Sequence, residues 1–352
     1  MINFKIGILG TGSIAEKIAE TIAQLDSFEV YAVGSRDAAR AAEFAAKYDI
    51  KKSYGSYDEL VNDPDVELVY IATPHQCHAD NAVLAINAGK PVLVEKPFSY
   101  NSKTAQDVIA LAREKNVFCG EAMWLRFMPI TKLLMKTLSE KVIGEVRYIN
   151  ATLCYDLRNK ERLLKPEYAG GALLDIGVYP LTAIFLAMNA MPVAAASSCV
   201  RLATGIDAVD TISLNFTNGR AATCFVSMTY ASDNKCIIYG TEGRIEIDNI
   251  NCPEEMRVYN FKNDVMTKAN PSERQINGYE YEFIAARDAI ITGKLECPEM
   301  SHKDTITVLN FCDMLRRSWK VFYPLPGEDT VQNPPKPPVK PMPNGPAPTQ
   351  NA

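Results

Sequence analysis

Through residue 123 the chain alternates two apolar patterns. Short runs rich in β-branched and aromatic residues recur at FKIGILG (4–10), FEVYAVGS (28–35), VELVYIAT (66–73), KPVLVEK (90–96) and VFCGEAM (117–123), with the length and bulk of buried strands. Between them lie residues 13–25, 37–48, 57–64, 78–89 and 102–115, rich in Ala, Leu, Glu and Lys. Their apolar positions recur about every 3.6 residues, which predicts helices. Asp37 and Ser102 read as N-caps and Gly89 as a C-cap. Strands alternating with helices predict right-handed βαβ units around a parallel sheet.

The pattern then changes. Strict alternation over 146–157 predicts a half-exposed antiparallel strand. Further strands follow at 195–203, 208–217, 220–230, 235–241 and 243–249, with TNGR (217–220) as a hairpin turn. Helical patterns return at 278–293 and 301–320, where RRSW (316–319) reads as a helix end with favourable charges. The expected architecture is α/β: a Rossmann-type domain over 1–122, then an α+β domain over 123–325 with a largely antiparallel open sheet. A proline-rich tail over 326–352 is too poor in apolar residues to pack and is expected to be extended.

Composition narrows the classes. The 352 residues carry a formal net charge of −5, so there is no electrostatic footprint for nucleic acid or an anionic membrane. No uninterrupted apolar run has the length of a membrane span. MINFKIGILGTG does not read as a secretory leader. The nine cysteines are scattered, without a CxxC, and are expected to be reduced thiols in a cytoplasmic protein. With three histidines they supply no tetrahedral metal set, so no metal is expected.

One motif adds chemistry. Gly10, Thr11, Gly12, Ser13, Ile14 and Ala15 spell G-x-G-x-x-A between the first strand and the first helix. The first glycine permits a tight turn, the second a close approach of pyrophosphate, and the helix N-terminus offers N–H groups to it. At the end of the second strand, where an NAD-binding protein usually has Asp or Glu, stand Ser35 and Arg36, with Arg40 one turn on. A hydroxyl and a guanidinium suit a 2′-phosphate, so NADP is expected ahead of NAD. NAD becomes the better choice if Asp37 binds the ribose instead of capping its helix.

Four stretches together resemble the Gfo/Idh/MocA oxidoreductases: GTGSIA (10–15), ATPHQCHADNAVLAINAGKPVLVEKP (72–97), GGALLDIGVYP (170–180) and YGTEGRIEI (239–247). EAMWLRFMP (121–129) further resembles the branch with dimeric dihydrodiol dehydrogenase and NADP-dependent xylose dehydrogenases. The resemblance implies a role for Lys96 beside the nicotinamide, a cis bond before Pro97, and Asp175 and Tyr179 entering the same cleft from the second domain. Many relatives have His where this chain has Tyr179.

The residue types agree with that chemistry. Hydride transfer from an alcohol needs a group that takes the hydroxyl proton. A phenol serves as base if a nearby ammonium favours its phenolate. Asp175 and Tyr179, four apart, face one way on a helical turn. Thr73, Pro74, His75 and His78 follow the third of the predicted strands and are expected near the cofactor, as is Glu95, which would hold Lys96 or its backbone. Trp124 and Arg126 are candidates for walling a substrate pocket, with an interdomain ion pair as the other reading of Arg126; Arg147 is a weaker candidate of the same kind. The implied activity is NADP(H)-dependent oxidation or reduction at a CH–OH/C=O carbon of a sugar, cyclitol or cyclic diol, in a homodimer joined through the second sheet. Two rivals are a lyase or glycosidase-type enzyme that uses bound NAD transiently and a non-catalytic dinucleotide- and sugar-binding regulator.

Overall fold

The computed structural model describes residues 3–271 and 273–328. Two sheets organise it. The first is built from β1 (Phe4–Leu9), α1 (Ser13–Ile22), β2 (Phe28–Gly34), α2 (Ala38–Lys47), β3 (Lys52–Tyr54), α3 (Tyr57–Val61), β4 (Leu68–Ile71), α4 (His78–Asn87), β5 (Val92–Glu95), α5 (Ser102–Glu114) and β6 (Cys119–Ala122). Its six strands are all parallel, in the order β3-β2-β1-β4-β5-β6. β4, β5 and β6 are buried throughout, as strands covered on both faces must be. The order reverses between β1 and β4, and ligands of such sheets bind outside the strand ends at that point.

The second half contains α6 (Pro129–Ser139), β7 (Val146–Cys154), α7 (Val178–Met188), β8 (Ala194–Arg201), β9 (Asp207–Asn215), β10 (Ala221–Ser227), β11 (Cys236–Gly240), β12 (Gly243–Asp248), β13 (Glu255–Asn260), β14 (Val265–Ala269), α8 (Glu280–Ile291) and α9 (His302–Trp319). Its eight strands run β14-β13-β12-β11-β7-β10-β9-β8. All pairs are antiparallel except β7 with β10. Side chains alternate: Ile149, Ala151 and Leu153 of β7 point into the core, and Tyr148, Asn150 and Thr152 point away. α7 and α9 pack on the inner face. The outer face carries Tyr148 and Tyr239, their rings 5.8 Å apart, and the Phe225–Tyr230 pair.

Local signals account for much of this. Asp37 caps α2 by accepting the Ala39 and Arg40 amides. Asn218 and Gly219 both have positive φ in the TNGR turn, the backbone that a right-twisted hairpin needs. Gly89, at φ +74°, sits one residue past the C-cap of α4.

Some expectations are corrected. Ser102 is not the cap of α5; Asn101 is, and the Ser102 hydroxyl donates to Asp313 across the domains instead. The structure adds β3, which is short and polar, α6, whose buried Ile130, Thr131, Leu134 and Thr137 follow a helical period, and β13 and β14, of which β13 alternates. Arg316 and Arg317 stand in the last turn of α9, as expected, but Arg316 is buried there, pairing with Asp313 and Glu328 and stacking on Tyr323. Pro166–Met188 is apolar and long enough to span a membrane by composition, but 89% of its most apolar 18-residue stretch is buried inside the protein, where it forms core. Of the tail over 326–352, only Pro326–Glu328 lie within the described residues.

Candidate active site

A cavity of about 730 Å³ runs along the ends of the parallel strands and on beneath residues of the second domain. At one end lies the glycine turn. Gly10 has φ +109°, and a Cβ there would meet the Ala72 carbonyl oxygen at 2.8 Å, so only glycine fits. Gly12 caps α1 with no side-chain hydrogen bond, and a Cβ on it would meet nothing within 4 Å. The first amides of α1 thus face open space, the arrangement a pyrophosphate needs. Thr11, Ser13 and Ile14 line the same space, and Ser35, Arg36 and Arg40 line its far end with Tyr57. The Asp37 carboxylate is occupied by the amides of α2 and by Arg40, 3.6 Å away. These residues fit a dinucleotide.

The reactive end is built from three segments. The first is the exit of β5. Glu95 is buried; it accepts the Lys96 amide at 3.0 Å and the Tyr70 hydroxyl. It therefore holds the backbone from which Lys96 projects. The bond between Lys96 and Pro97 is cis. The Lys96 ammonium donates to the Asp175 carbonyl oxygen at 2.6 Å, lies 3.6 Å from Asp175 Oδ1 and sits 5.1 Å from the Tyr179 ring centre.

The second segment is a π-turn, Leu173–Gly177, that runs into α7. Asp175 and Tyr179 thus come from a wider turn than the α-turn their spacing implied. Asp175 is buried, and Arg162 Nη2 reaches its Oδ1 at 3.2 Å. Burial by itself pushes this carboxyl up, but the charges of Lys96 and Arg162 outweigh it and hold Asp175 well below the usual carboxylate range. Tyr179 departs from expectation. Burial, reinforced by Tyr279, Glu95 and Asp175, pushes its phenol well above its usual value. Lys96 lies over the ring face and does not favour the phenolate enough to reverse this, so Tyr179 is a neutral hydrogen-bond donor.

The third segment follows β4. Thr73, Pro74, His75 and His78 all line the cavity. His75 Nδ1 faces the Ala169 carbonyl at 3.2 Å and must donate to it, which leaves Nε2 as acceptor for Arg162 Nη1 at 3.2 Å. Burial pushes the His75 pKa down further than the neighbouring Asp175 raises it, so the ring is neutral and its 3.5 Å approach to Asp175 is a contact rather than an ion pair. His78 lies between the Thr73 and Pro97 carbonyls, 2.7 and 2.8 Å from its ring nitrogens; burial pushes its pKa down to about 3, so the neutral ring donates to one of the two.

Two candidates lie elsewhere. Arg126 does not wall the cavity: its guanidinium donates to the Glu299 carbonyl at 2.6 Å and to Asp304 at 3.1 Å. Arg147 is exposed near the start of β7, away from the cavity, and donates to Asn218 O. Trp124 does line the cavity, stacked on Tyr279 at 4.2 Å, and its buried indole N–H has no acceptor. It lies near the Tyr179 phenol but short of hydrogen-bonding geometry. Arg162 is the main residue that sequence reasoning missed. It sits in the polar segment NKERLLK (159–165), where nothing distinguishes it from a solvated charge; only the fold brings it to Asp175. Tyr155, Lys160 and Tyr279 join the lining in the same way.

A parallel sheet with a phosphate-type glycine turn and Lys96 at its edge, met by Asp175 and Tyr179 from the second domain, defines an oxidoreductase built on an NAD-binding Rossmann domain. Residues 4–123 match the family model for the Gfo/Idh/MocA oxidoreductases, NAD-binding Rossmann fold, and residues 131–246 match that of the Gfo/Idh/MocA C-terminal domain. The chain belongs to this family. It is 33% identical over 328 residues to a trans-1,2-dihydrobenzene-1,2-diol dehydrogenase of Danio rerio, covering 90% of this chain and 97% of that one. The Sus scrofa protein of the same name is 32% identical over 326 residues, with the same coverage. Among solved structures, an aldose-aldose oxidoreductase from Caulobacter crescentus, complexed with glycerol, superposes with a TM-score of 0.81 at 22% identity, covering 90% of this chain and 98% of that one. Levoglucosan dehydrogenase in complex with NADH and levoglucosan gives 0.78 at 21%, covering 90% and 97%. A 3-ketoreductase from Actinomadura kijaniata with NADP and TDP-benzene also gives 0.78, at 24% and with the same coverage. These three likenesses are of fold.

Proposed function

We propose that this protein is an NADP(H)-dependent oxidoreductase that interconverts a ring CH–OH and its ketone in a sugar, cyclitol or cyclic diol. The observation that carries this reading is the convergence of Lys96, Asp175 and Tyr179 at the end of the cavity that begins at the glycine turn. Relatives that are dihydrodiol dehydrogenases support the alcohol chemistry. The bound nicotinamide would supply the hydride acceptor or donor. The protein's own part is to bind, orient and move the proton. The polar contacts of the Asp175 side chain fall on Oδ1 among the described residues, which leaves Oδ2 to orient a substrate hydroxyl. Tyr179 donates a hydrogen bond to the reacting oxygen. Lys96, held by Asp175 and beside Tyr179, carries the proton to or from that oxygen.

Ser35, Arg36 and Arg40 at the far end support NADP over NAD, because among the described residues no carboxylate lines that end and Asp37 is held by the amides of α2 and by Arg40. The aromatic outer face of the second sheet supports a homodimer. All nine cysteines are free thiols, which accords with a cytoplasmic site. The test is steady-state turnover with NADP⁺ and NAD⁺ over a panel of aldoses, cyclitols and trans-dihydrodiols. Turnover of at least one such alcohol, faster with NADP⁺, is expected; no turnover of any would overturn the reading.

A further inference from the structure

Behind the reactive end lies a second pair of acids. Asp207 and Asp210 stand on β9, both with no exposed surface. Asp207 Oδ2 accepts the amide of Leu173 at 2.6 Å. Leu173 opens the π-turn that carries Asp175 and leads into Tyr179. Asp207 Oδ1 lies where a side chain on Gly171 would begin: a Cβ there would come within 2.3 Å of it, and Gly171 has φ +110°. The double glycine of the motif is thus shaped around this carboxylate.

Neighbouring bonds complete the frame. The Tyr323 hydroxyl donates to the Gly170 carbonyl at 2.9 Å, and the Gly171 amide to the Leu163 carbonyl at 3.0 Å. No ion pair is formed by either acid among the described residues. Arg316 is near Asp207, but its guanidinium is engaged by Asp313, Glu328 and the Tyr100 carbonyl. Asp207 Oδ1 and both Asp210 oxygens have no other donor. Two buried carboxyls in contact without a cation hold one proton between them. Burial raises both carboxyls, and Asp207 pushes Asp210 further, well above the usual carboxylate range, so Asp210 keeps that proton and donates it to Asp207. Asp207 remains the carboxylate, and a charged acceptor makes the stronger bond to Leu173.

We propose that Asp207, supported by the acid Asp210, is a positioning residue that fixes the π-turn and so the placement of Asp175 and Tyr179 at the reacting oxygen. The proposal rests on the oxidoreductase reading above. A misplacement of about 1 Å at a reacting centre costs up to about 100-fold in rate. Asp207→Ala, assayed on the best alcohol from the panel, is therefore expected to lose about 30-fold in kcat, with the Kd of NADP⁺ by fluorescence quenching within about twofold of the parent. Asp207→Asn, which can still accept the Leu173 amide, is expected to restore kcat to within about threefold. A folded Asp207→Ala with parental kcat overturns the proposal, as does an Asp207→Asn no better than Asp207→Ala. If Asp207→Ala does not fold, Asp207→Leu fills the space without an acceptor. If that also fails to fold while Asp207→Asn is parental, the carboxylate holds the fold rather than the site and the proposal fails. Absence of turnover in the parent would overturn the oxidoreductase reading itself.

Discussion

Replacing Arg36 with Ala removes the cation at the end of β2 while leaving the glycine turn and the reactive end intact. The size of the effect follows from exposure. Arg36 lies on the solvent side of the cavity, next to Tyr57. Two unit charges 4 Å apart attract by about 1 kcal/mol in water and about 4 kcal/mol near a protein surface. An exposed guanidinium against a 2′-phosphate that also meets Arg40 falls between these, at about 2–3 kcal/mol, or about 30- to 150-fold. The kcat/KM for NADP⁺ should therefore fall by that factor at low salt, while NAD⁺, which lacks the 2′-phosphate, changes by less than about threefold. The loss should sit in KM, because Arg36 is remote from the reacting atoms. It should shrink at about 0.5 M salt, because an exposed interaction is screened. The assay is initial velocity against each cofactor at two ionic strengths. Equal losses for both cofactors, or no loss for NADP⁺, would refute the reasoning.

Three other outcomes are expected. Gly10→Ala would place a Cβ 2.8 Å from a backbone carbonyl at φ +109°, so fluorescence titration should show NADP⁺ binding weakened by at least about tenfold. Glu121 is buried, bonded to the Phe98 amide and the Thr305 hydroxyl, and burial pushes its carboxyl up to about 7. The folded protein thus holds this proton more tightly than the unfolded chain. The stability it adds is full below the unfolded pKa near 4.5 and is lost as pH rises through 7, about 3 kcal/mol in all. Urea unfolding from pH 5 to 8 should show that decline relative to Glu121→Gln; parallel curves would contradict it. Tyr239→Asp on the outer sheet face should convert a dimer to monomer by sedimentation; an unchanged parental dimer would place the interface elsewhere.

What could be read from the sequence was what local chemistry decides. The five short apolar strands, the helices between them and the TNGR turn all follow from period and turn residues, because burial and φ leave few alternatives there. The glycine turn was legible for the same reason. Lys96, Asp175 and Tyr179 were reached through the resemblance rather than by spacing, since nothing local tells a reactive Lys from a solvated one. Arg162 and Asp207 were not legible. Their partners are not sequence neighbours: Arg162 meets Asp175 13 residues on and His75 87 residues back, and Asp207 holds Leu173 34 residues back. Arg126 and Arg147 failed as pocket candidates because adjacency to a motif does not set where a side chain points. The expectation of a lowered Tyr179 pKa failed because burial outweighs one ammonium placed over the ring.

The central claim is that Lys96 handles the proton in a cavity that already holds the cofactor. The most direct test is Lys96→Met on the best substrate of the panel, with kcat and NADP⁺ affinity measured on the same preparation. Loss of a positioned general acid–base group is expected to lower kcat by about 10²- to 10⁴-fold. NADP⁺ Kd should stay within about threefold, because the phosphate end is untouched. A folded Lys96→Met protein that turns over as fast as the parent would contradict the account.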